Sequence, residues 1–196
     1  MTRGIRTVSD RPRSRRAHAL VIEATAHILA TEGFRAVAVD RIARESGVST
    51  ATIYKHWPSK TAIAAEAFGT LAARAVEAPR SGDPVEDLVE TAVATITFYA
   101  REGAGAAFRE LLAGCALEPE GAAYFRAYFL QPRRDELAPL WRRAAAAGQV
   151  RDDLDPDEAM DVLFGPAAFV LLTRAAPVGA DEVRRLVIRT LRGLGA

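Results

Sequence analysis

The stretch that most constrains this chain is residues 47–57, GVSTATIYKHW, which reads as a sharp turn followed by a short helix. Gly47 allows the positive φ of a tight corner between two helices, and the Ser49 hydroxyl can accept hydrogen bonds from the free amides of the next helix. Ile53 and Trp57 are four residues apart and therefore face the same side of that helix. The pattern predicts a helix-turn-helix whose second helix is apolar inside and polar outside.

The outer face of the second helix carries side chains that suit a DNA groove. Its hydroxyl, ammonium and imidazole groups belong to Thr50, Thr52, Tyr54, Lys55 and His56. Hydrogen-bonding groups of this kind read base edges in the major groove and bind phosphates beside it. We expect Thr50 and Lys55 to lie toward base edges, and Tyr54 and His56 to lie toward phosphates.

The helix before the turn has its apolar residues on one stripe, formed by Val39, Ile42 and Ala43 and ending at Gly47. The wider pattern is Gly33-Phe34, Val39, Ile42-Ala43, Gly47-Val48-Ser49, Ile53-Tyr54, Trp57 and Lys60. It resembles the N-terminal domain of the TetR family of bacterial transcriptional regulators over roughly residues 15–68. The chain departs from the family pattern at Ala38, where a Ser or Thr commonly caps the second helix, so we expect that helix to start weakly.

The composition favours an all-α protein. Alanine and leucine dominate the apolar residues, alternating β-branched runs are scarce, and Pro and Gly fall in short patches between helical segments. The single cysteine, Cys115, excludes an internal disulfide and a cysteine-rich metal site. The sequence has neither a long apolar run nor a charged-then-apolar leader, so we expect a cytoplasmic protein with no membrane partner.

The net charge of +1 conceals an uneven distribution. Residues 1–60 hold eleven Arg or Lys and five Asp or Glu, whereas the rest of the chain holds fifteen basic and twenty acidic residues. A basic head joined to an acidic body is typical of a DNA-binding domain attached to a domain that does not bind DNA.

The chain divides into three predicted parts: a basic arm at residues 1–14, a helix-turn-helix domain at 15–59, and a C-terminal domain at 60–196. The arm is either a DNA-contacting tail or a solvated leader, and Ser14 can cap the first helix. That helix carries His18 and His27, which we expect at the surface or rim. Ser59 is placed to cap a linking helix over residues 60–77, and the resemblance implies that Lys60 and this helix start meet a phosphate.

Helical periodicity continues through the C-terminal domain, over residues 85–100, 106–112 and 122–147, from Pro156 onward, and 181–194. Pro132 and Pro139 predict a kink or split in the third of these segments. A small-molecule cavity is predicted among aromatic residues, which are Phe98, Phe108, Tyr124, Phe125, Tyr128 and Trp141. The resemblance also implies a homodimer through the last two helices, whose interface would contain Phe164, Ala167, Ala168, Leu171, Leu186, Val187 and Thr190.

The sequence offers no phosphate-cradling Gly loop, metal-ligand cluster or nucleophile elbow, so we expect no catalytic residues, no metal and no cofactor. The leading hypothesis is a homodimeric regulator that binds a palindromic double-stranded DNA operator and is released by a small-molecule effector. One alternative is a DNA-binding architectural or cell-division protein of the same fold that needs no effector. A second is an α-helical enzyme with a vestigial helix-turn-helix, which would need convergent titratable groups.

Overall fold

The structure is a computed structural model that describes residues 12–76, 79–101, 103–118, 120–174 and 178–193. Most of the predicted basic arm lies outside these residues. Residues 12–14 belong to the first turn of a helix that begins at Pro12, so Ser14 lies inside the helix and does not cap it. Every regular element in the described ranges is helical, which confirms the all-α prediction. None of their helices is long and apolar enough to cross a membrane.

The chain forms two compact units. Unit 1 comprises Met1–Leu71 and Ala106–Leu130, and unit 2 comprises Ala72–Gly105 and Gln131–Ala196. Unit 1 thus contains the predicted helix-turn-helix together with the start of the linking helix and a later helical segment.

Unit 1 is built from short helices around the helix-turn-helix. They are α1 (Pro12–Glu32), a 3-10 turn (Phe34–Ala36), α2 (Val39–Ser46), α3 (Thr50–His56), the first turns of α4 (Lys60–Ala75), most of α6 (Ala104–Leu117), α7 (Gly121–Tyr124) and a π-helix (Phe125–Leu130). Their core includes Ile28, Leu29, Ile42, Ile53, Ile63 and Phe68, each at most 1% exposed. Burial of these side chains is the main force that holds such short helices in place.

The start of α2 agrees with the weak cap that the sequence predicts. Ala38 precedes the helix in an extended conformation and makes no side-chain capping bond. A charged contact ties α2 to α1 instead, because the Arg41 guanidinium donates to Glu32 at 2.5 and 2.9 Å and to Glu45 at 2.6 Å. The hydrogen bonds from Arg41 hold the pKa of Glu32 below its ordinary value.

Unit 2 is formed by α5 (Pro84–Ala100), α8 (Gln131–Ala146), α9 (Pro156–Thr173) and α10 (Ala180–Gly193). Asp83 and Asp155 cap α5 and α9, each with proline in the first turn. The core contains Leu88, Ile96, Leu137, Leu163 and Val183. Arg184 of α10 contacts Glu86 and Glu90 of α5, and Arg134 of α8 contacts Asp157 and Asp161 of α9.

The predicted kinked helix over residues 122–147 is three consecutive helical segments, α7, the π-helix and α8. The change of winding falls at Phe125–Leu130, immediately before the segment that contains Pro132. Pro139 lies inside α8 without ending it. Proline removes one backbone donor and so interrupts the hydrogen-bond pattern of an α-helix. A π turn accommodates a local shift in that pattern.

Candidate nucleic-acid interface

The turn between α2 and α3 has the geometry that its sequence predicts. Gly47 has φ 70°, in the left-handed region that glycine adopts without a steric penalty. The Val48 amide donates to the Ser46 hydroxyl at 3.2 Å, and Ser49 caps α3 by accepting from the Thr52 amide at 3.3 Å. These bonds hold the chain as it leaves α2 and enters α3.

α3 has one buried and one open face. Ile53 is fully buried and Trp57, the residue that closes the helix, is 2% exposed. Tyr54 is 56% exposed and Lys55 is also exposed. Thr50, Thr52 and His56 are half-buried, and the Thr52 hydroxyl lies 2.9 Å from that of Ser49. All five residues predicted to contact DNA from α3 therefore retain accessible surface.

Behind α3, three polar side chains form a cluster that the sequence analysis missed. Oε2 of Glu66 accepts a hydrogen bond from Nε1 of Trp57 at 2.7 Å, and Oε1 lies 2.8 Å from Nε2 of His18. The His18 ring stacks on Trp57 at 4.8 Å between centroids. His18 lies at the rim, as predicted, and it has two partners that the sequence analysis did not predict. The sequence feature that could have indicated this cluster is Glu66, the single charged residue in the apolar run between Lys60 and Arg74.

The first turn of α4 presents Lys60 to solvent. The Ser59 hydroxyl accepts from the Ala62 amide at 3.2 Å, as its predicted capping role requires. Lys60 is exposed, and its ammonium lies 5.2 Å from the centre of the Phe34 ring. An exposed cation beside the amides of a helix start is suited to bind a phosphate.

One stripe of α6 and the residue that follows it contact the two segments that flank the helix-turn-helix, the 3-10 turn and the start of α4, and these contacts were not predicted from the sequence. Glu110 pairs with Arg35 at 2.8 Å, and Glu118 accepts hydrogen bonds from the hydroxyls of Ser59, at 2.8 Å, and Thr61. Between them, a Cβ at Gly114 would lie 3.1 Å from the Phe34 ring. The spacing of four residues places these three contacts on one helical face.

The six aromatic residues predicted to line an effector cavity fall in both units. In unit 1, Phe108 and Phe125 pack with Phe68 and Phe129 at centroid distances of 4.5–6.4 Å. Tyr124 and Tyr128 stack at 6.1 Å, and burial, with the nearby Glu66 carboxylate, raises the pKa of Tyr128 to about 12. In unit 2, Phe98 is half-buried and Trp141 is 1% exposed, with no partner for its Nε1 among the described residues.

A cavity of about 760 Å³, open to solvent and lined in part by exposed residues, lies in unit 2, and none of those aromatics lines it. Its walls combine apolar groups with two arginines and two carboxylates, and they are formed by Val76, Pro79, Arg80, Gly82, Asp87, Glu136, Pro139, Leu140 and Arg143. The buried Asp87 carboxylate accepts from the Ser81 amide at 2.7 Å. This bond and the charge of Arg143 lower the pKa of Asp87.

The predicted dimer residues divide into two groups. Phe164, Ala168, Leu186 and Thr190 are half-buried, but Ala167, Leu171 and Val187 are at most 5% exposed. The second group packs into the core of its own unit and offers little surface in the single chain, and the dimer interface stays a prediction. The apolar side chains that α9 exposes are Val162, Phe169 and Leu172, at 44%, 67% and 44%.

Comparisons with known proteins match both parts of the chain. The family profile described as "Bacterial regulatory proteins, tetR family" matches residues 21–67, and that described as "Tetracyclin repressor-like, C-terminal domain" matches residues 78–190. A curated relative, the uncharacterized HTH-type transcriptional regulator YdeS of Bacillus subtilis (strain 168), is 34% identical over 187 residues, covering 95% of this chain and 93% of the relative. The chain belongs to the TetR family.

Solved structures are similar to this TetR-family protein over most of its length. The TetR family transcription regulator SCO0332 is 31% identical with a TM-score of 0.78, covering 90% of this chain and 97% of that chain. FadR of Bacillus subtilis, solved in complex with stearoyl-CoA, shares the fold at 16% identity with a TM-score of 0.65, covering 90% and 98%. The protein is therefore a transcriptional regulator of the TetR family with a helix-turn-helix DNA-binding domain.

Proposed function

We propose that this regulator is a homodimeric repressor that binds a palindromic operator and is released when a small apolar or amphipathic molecule occupies its C-terminal domain. The observation that carries the proposal is the open face of α3, in the basic N-terminal part of the chain. Five polar side chains remain accessible on this helix, while Ile53 and Trp57 are buried behind them. Because a regulator of this kind acts on chromosomal DNA, we infer that it works in the cytoplasm.

The proposed roles on DNA are those that the sequence pattern favours, and the exposure of these side chains supports them. Thr50 and Lys55 read base edges, and Tyr54 and His56 bind phosphates, with Thr52 beside them on the same helix. Lys60 binds a phosphate at the start of α4. Base contacts set operator preference, whereas phosphate contacts supply affinity for any sequence.

The proposed dimer uses the exposed apolar surface of α9 together with the half-buried residues of α10. Val162, Phe169 and Leu172 are large apolar side chains in contact with solvent on a single helix. Clustered exposed apolar groups of this kind mark association surfaces. A two-fold operator needs two heads about 34 Å apart, which a symmetric pair of subunits supplies.

The effector proposal is supported by the cavity in unit 2. Its volume of about 760 Å³ lies within the range of small-molecule sites, roughly 300–1,000 Å³. Apolar walls with Arg80 and Arg143 favour an amphipathic molecule with a polar or charged end. Phe98 and Trp141 belong to the same unit but do not line the cavity. Phe108, Tyr124, Phe125 and Tyr128 remain candidate contacts, although they pack with other aromatic residues of unit 1.

A two-part experiment tests the proposal. Operator duplexes are selected from random DNA with the purified protein, and an amphipathic library is then screened for compounds that raise its melting temperature. Positive compounds should weaken operator binding about 5- to 150-fold, and operator should weaken compound binding by the same factor.

Leu140→Trp, which fills the cavity, should abolish the response and leave operator affinity within a few-fold of wild type. If the protein selects an operator but no compound affects binding, the ligand-independent architectural protein is the better description. If it selects no sequence, the DNA-reading roles of α3 are wrong.

A further inference from the structure

The cluster behind the recognition helix joins three helices through one carboxylate. Glu66 lies on α4, its two oxygens contact Trp57 and His18, and the latter belongs to α1. The side chains of His18 and Glu66 are 19% and 17% exposed, so water competes weakly for both. Glu66 thus holds the end of α3 and the body of α1 at the same time.

Trp57 transmits any restraint on its ring to the recognition helix. It is the residue that closes α3, and its backbone amide donates to the carbonyl oxygen of Ile53 at 2.9 Å. Its ring is also held from a second direction, because the His18 ring stacks on it with an angle of 25° between planes. One hydrogen bond and one stacked ring therefore restrain the indole.

We propose that Glu66, with His18, is a positioning residue for operator recognition, and that its bond to Trp57 sets the orientation in which α3 presents Thr50 and Lys55. This inference rests on the proposed DNA-reading role of α3. No base or phosphate contact is assigned to Glu66 or His18, which act through Trp57.

The physical reason is the small number of anchors on α3. The helix has seven residues, and only Ile53 and the closing Trp57 are buried. Apolar burial is non-directional, so it holds these side chains inside without fixing the rotation of the helix. A hydrogen bond to a carboxylate is short and directional, and a bond to a charged group contributes about twice as much as a neutral one.

Removing the bond at either end should therefore loosen orientation more than folding. Trp57→Phe keeps an aromatic ring and removes the indole donor, whereas Glu66→Gln keeps the shape of the acceptor and removes its charge. His18→Ala removes the stacking partner and should have a smaller effect in the same direction. Glu90→Gln is the matched control, because it disrupts a carboxylate pair with Arg184 in unit 2.

The first measurement compares the affinity for the duplex that wild type enriches from a random pool with the affinity for a scrambled duplex at the same salt concentration. Trp57→Phe should lower this ratio about ten-fold, the effect expected for losing a hydrogen bond to a charged group. Glu66→Gln should lower it by a smaller factor, because its amide oxygen still accepts from the indole but carries no charge. Affinity for the scrambled duplex should stay within two-fold. Adding Glu66→Gln to Trp57→Phe should cause no further loss, because the bond that it weakens is already absent.

The second measurement needs no DNA. In NMR spectra of Glu66→Gln, the Trp57 indole signal and the backbone amide signals of residues 50–56 should shift, while those of Glu90→Gln should keep their wild-type positions. Unchanged α3 amides would overturn the proposal, as would additive losses in the double variant or equal losses on both duplexes. A wild-type protein without sequence preference would refute the proposed function, and the NMR comparison would still decide the role of Glu66.

Discussion

Replacing Lys60 by alanine should weaken binding to every DNA duplex by a similar factor. Lys60 is exposed in the first turn of α4, and its ammonium forms no ion pair with a described residue. The substitution therefore removes one accessible cation from each head. The lost contact with the Phe34 ring, at 5.2 Å, should lower the free energy of unfolding by only about 0.5–1 kcal/mol, as for exposed cation–π pairs.

The magnitude follows from counterion release. One phosphate contact contributes about 0.9 to the slope of log affinity against log salt concentration on B-DNA, so a dimer that loses two contacts loses about 1.8. Between 50 and 200 mM salt, this difference corresponds to about 1.1 log units. The deficit of the variant relative to wild type should therefore shrink about twelve-fold across that range.

Fluorescence anisotropy with operator and scrambled duplexes, over a series of salt concentrations, measures both quantities. Lys60→Arg should retain the slope because it keeps the cation. Arg142→Ala should also retain it, although it removes the same formal charge, since Arg142 is exposed on α8 in unit 2. A Lys60→Ala variant with wild-type affinity and slope would show that Lys60 meets no phosphate. A loss confined to the operator would show that it reads bases instead.

Four further predictions follow from the structure. Thr50→Ala and Lys55→Ala should change which duplex is enriched from a random pool and keep the affinity for scrambled DNA. An unchanged sequence preference would show that Thr50 and Lys55 do not contact base edges. Phe169→Glu should give monomers in light scattering, because an unpaired charge buried at an interface costs about 3–5 kcal/mol, whereas Leu117→Glu, on α6, should leave the dimer intact. Gly69→Ala should lower the free energy of unfolding by about 1–3 kcal/mol, because the added Cβ would overlap the Tyr128 carbonyl oxygen. Gly165→Ala adds its Cβ in open space and should raise the free energy of unfolding by up to about 1 kcal/mol. Urea titrations measure both changes. Cys115 should react slowly with a thiol reagent at pH 8, because burial and the Glu118 charge raise its pKa to about 11, and rapid labelling of the folded protein would contradict this.

Local features of the fold were predictable because they depend on neighbours in the sequence. The positive φ of Gly47, the Ser49 cap and the shared burial of Ile53 and Trp57 all involve residues within one or two helical turns. Helix periodicity likewise predicted α5, α9 and α10 to within a few residues.

The contacts behind the interface were not predictable because they join distant parts of the chain. Glu118 reaches Ser59 and Thr61 across nearly sixty residues, and nothing in the α6 sequence indicates that partner. The role of Glu66 was not predicted because a single carboxylate in an apolar helix is compatible with a solvated position as well as with a buried contact.

The predicted dimer residues show a second reason why sequence periodicity does not identify every surface residue. α9 is apolar around most of its circumference, so periodicity does not separate the face that packs into its own unit from the face that meets solvent. Leu171 and Phe169 lie two residues apart and are 5% and 67% exposed. Burial in the folded chain was needed to distinguish them.

The acidic side chains around the head differ in how strongly each can restrain it. Glu110 pairs with Arg35, whose side chain is 86% exposed, so solvent and salt reduce this contact to about 0–1 kcal/mol. Glu66 and Glu118 are partly buried; Glu66 accepts from Trp57 and lies 2.8 Å from His18, and Glu118 accepts from Ser59 and Thr61. Because directional bonds in poorly solvated positions resist screening, orientation of α3 and of the first turn of α4 should persist at salt concentrations that remove the Arg35 pair. The salt dependence of DNA binding should therefore arise from phosphate contacts such as that of Lys60, and not from loosening of the head.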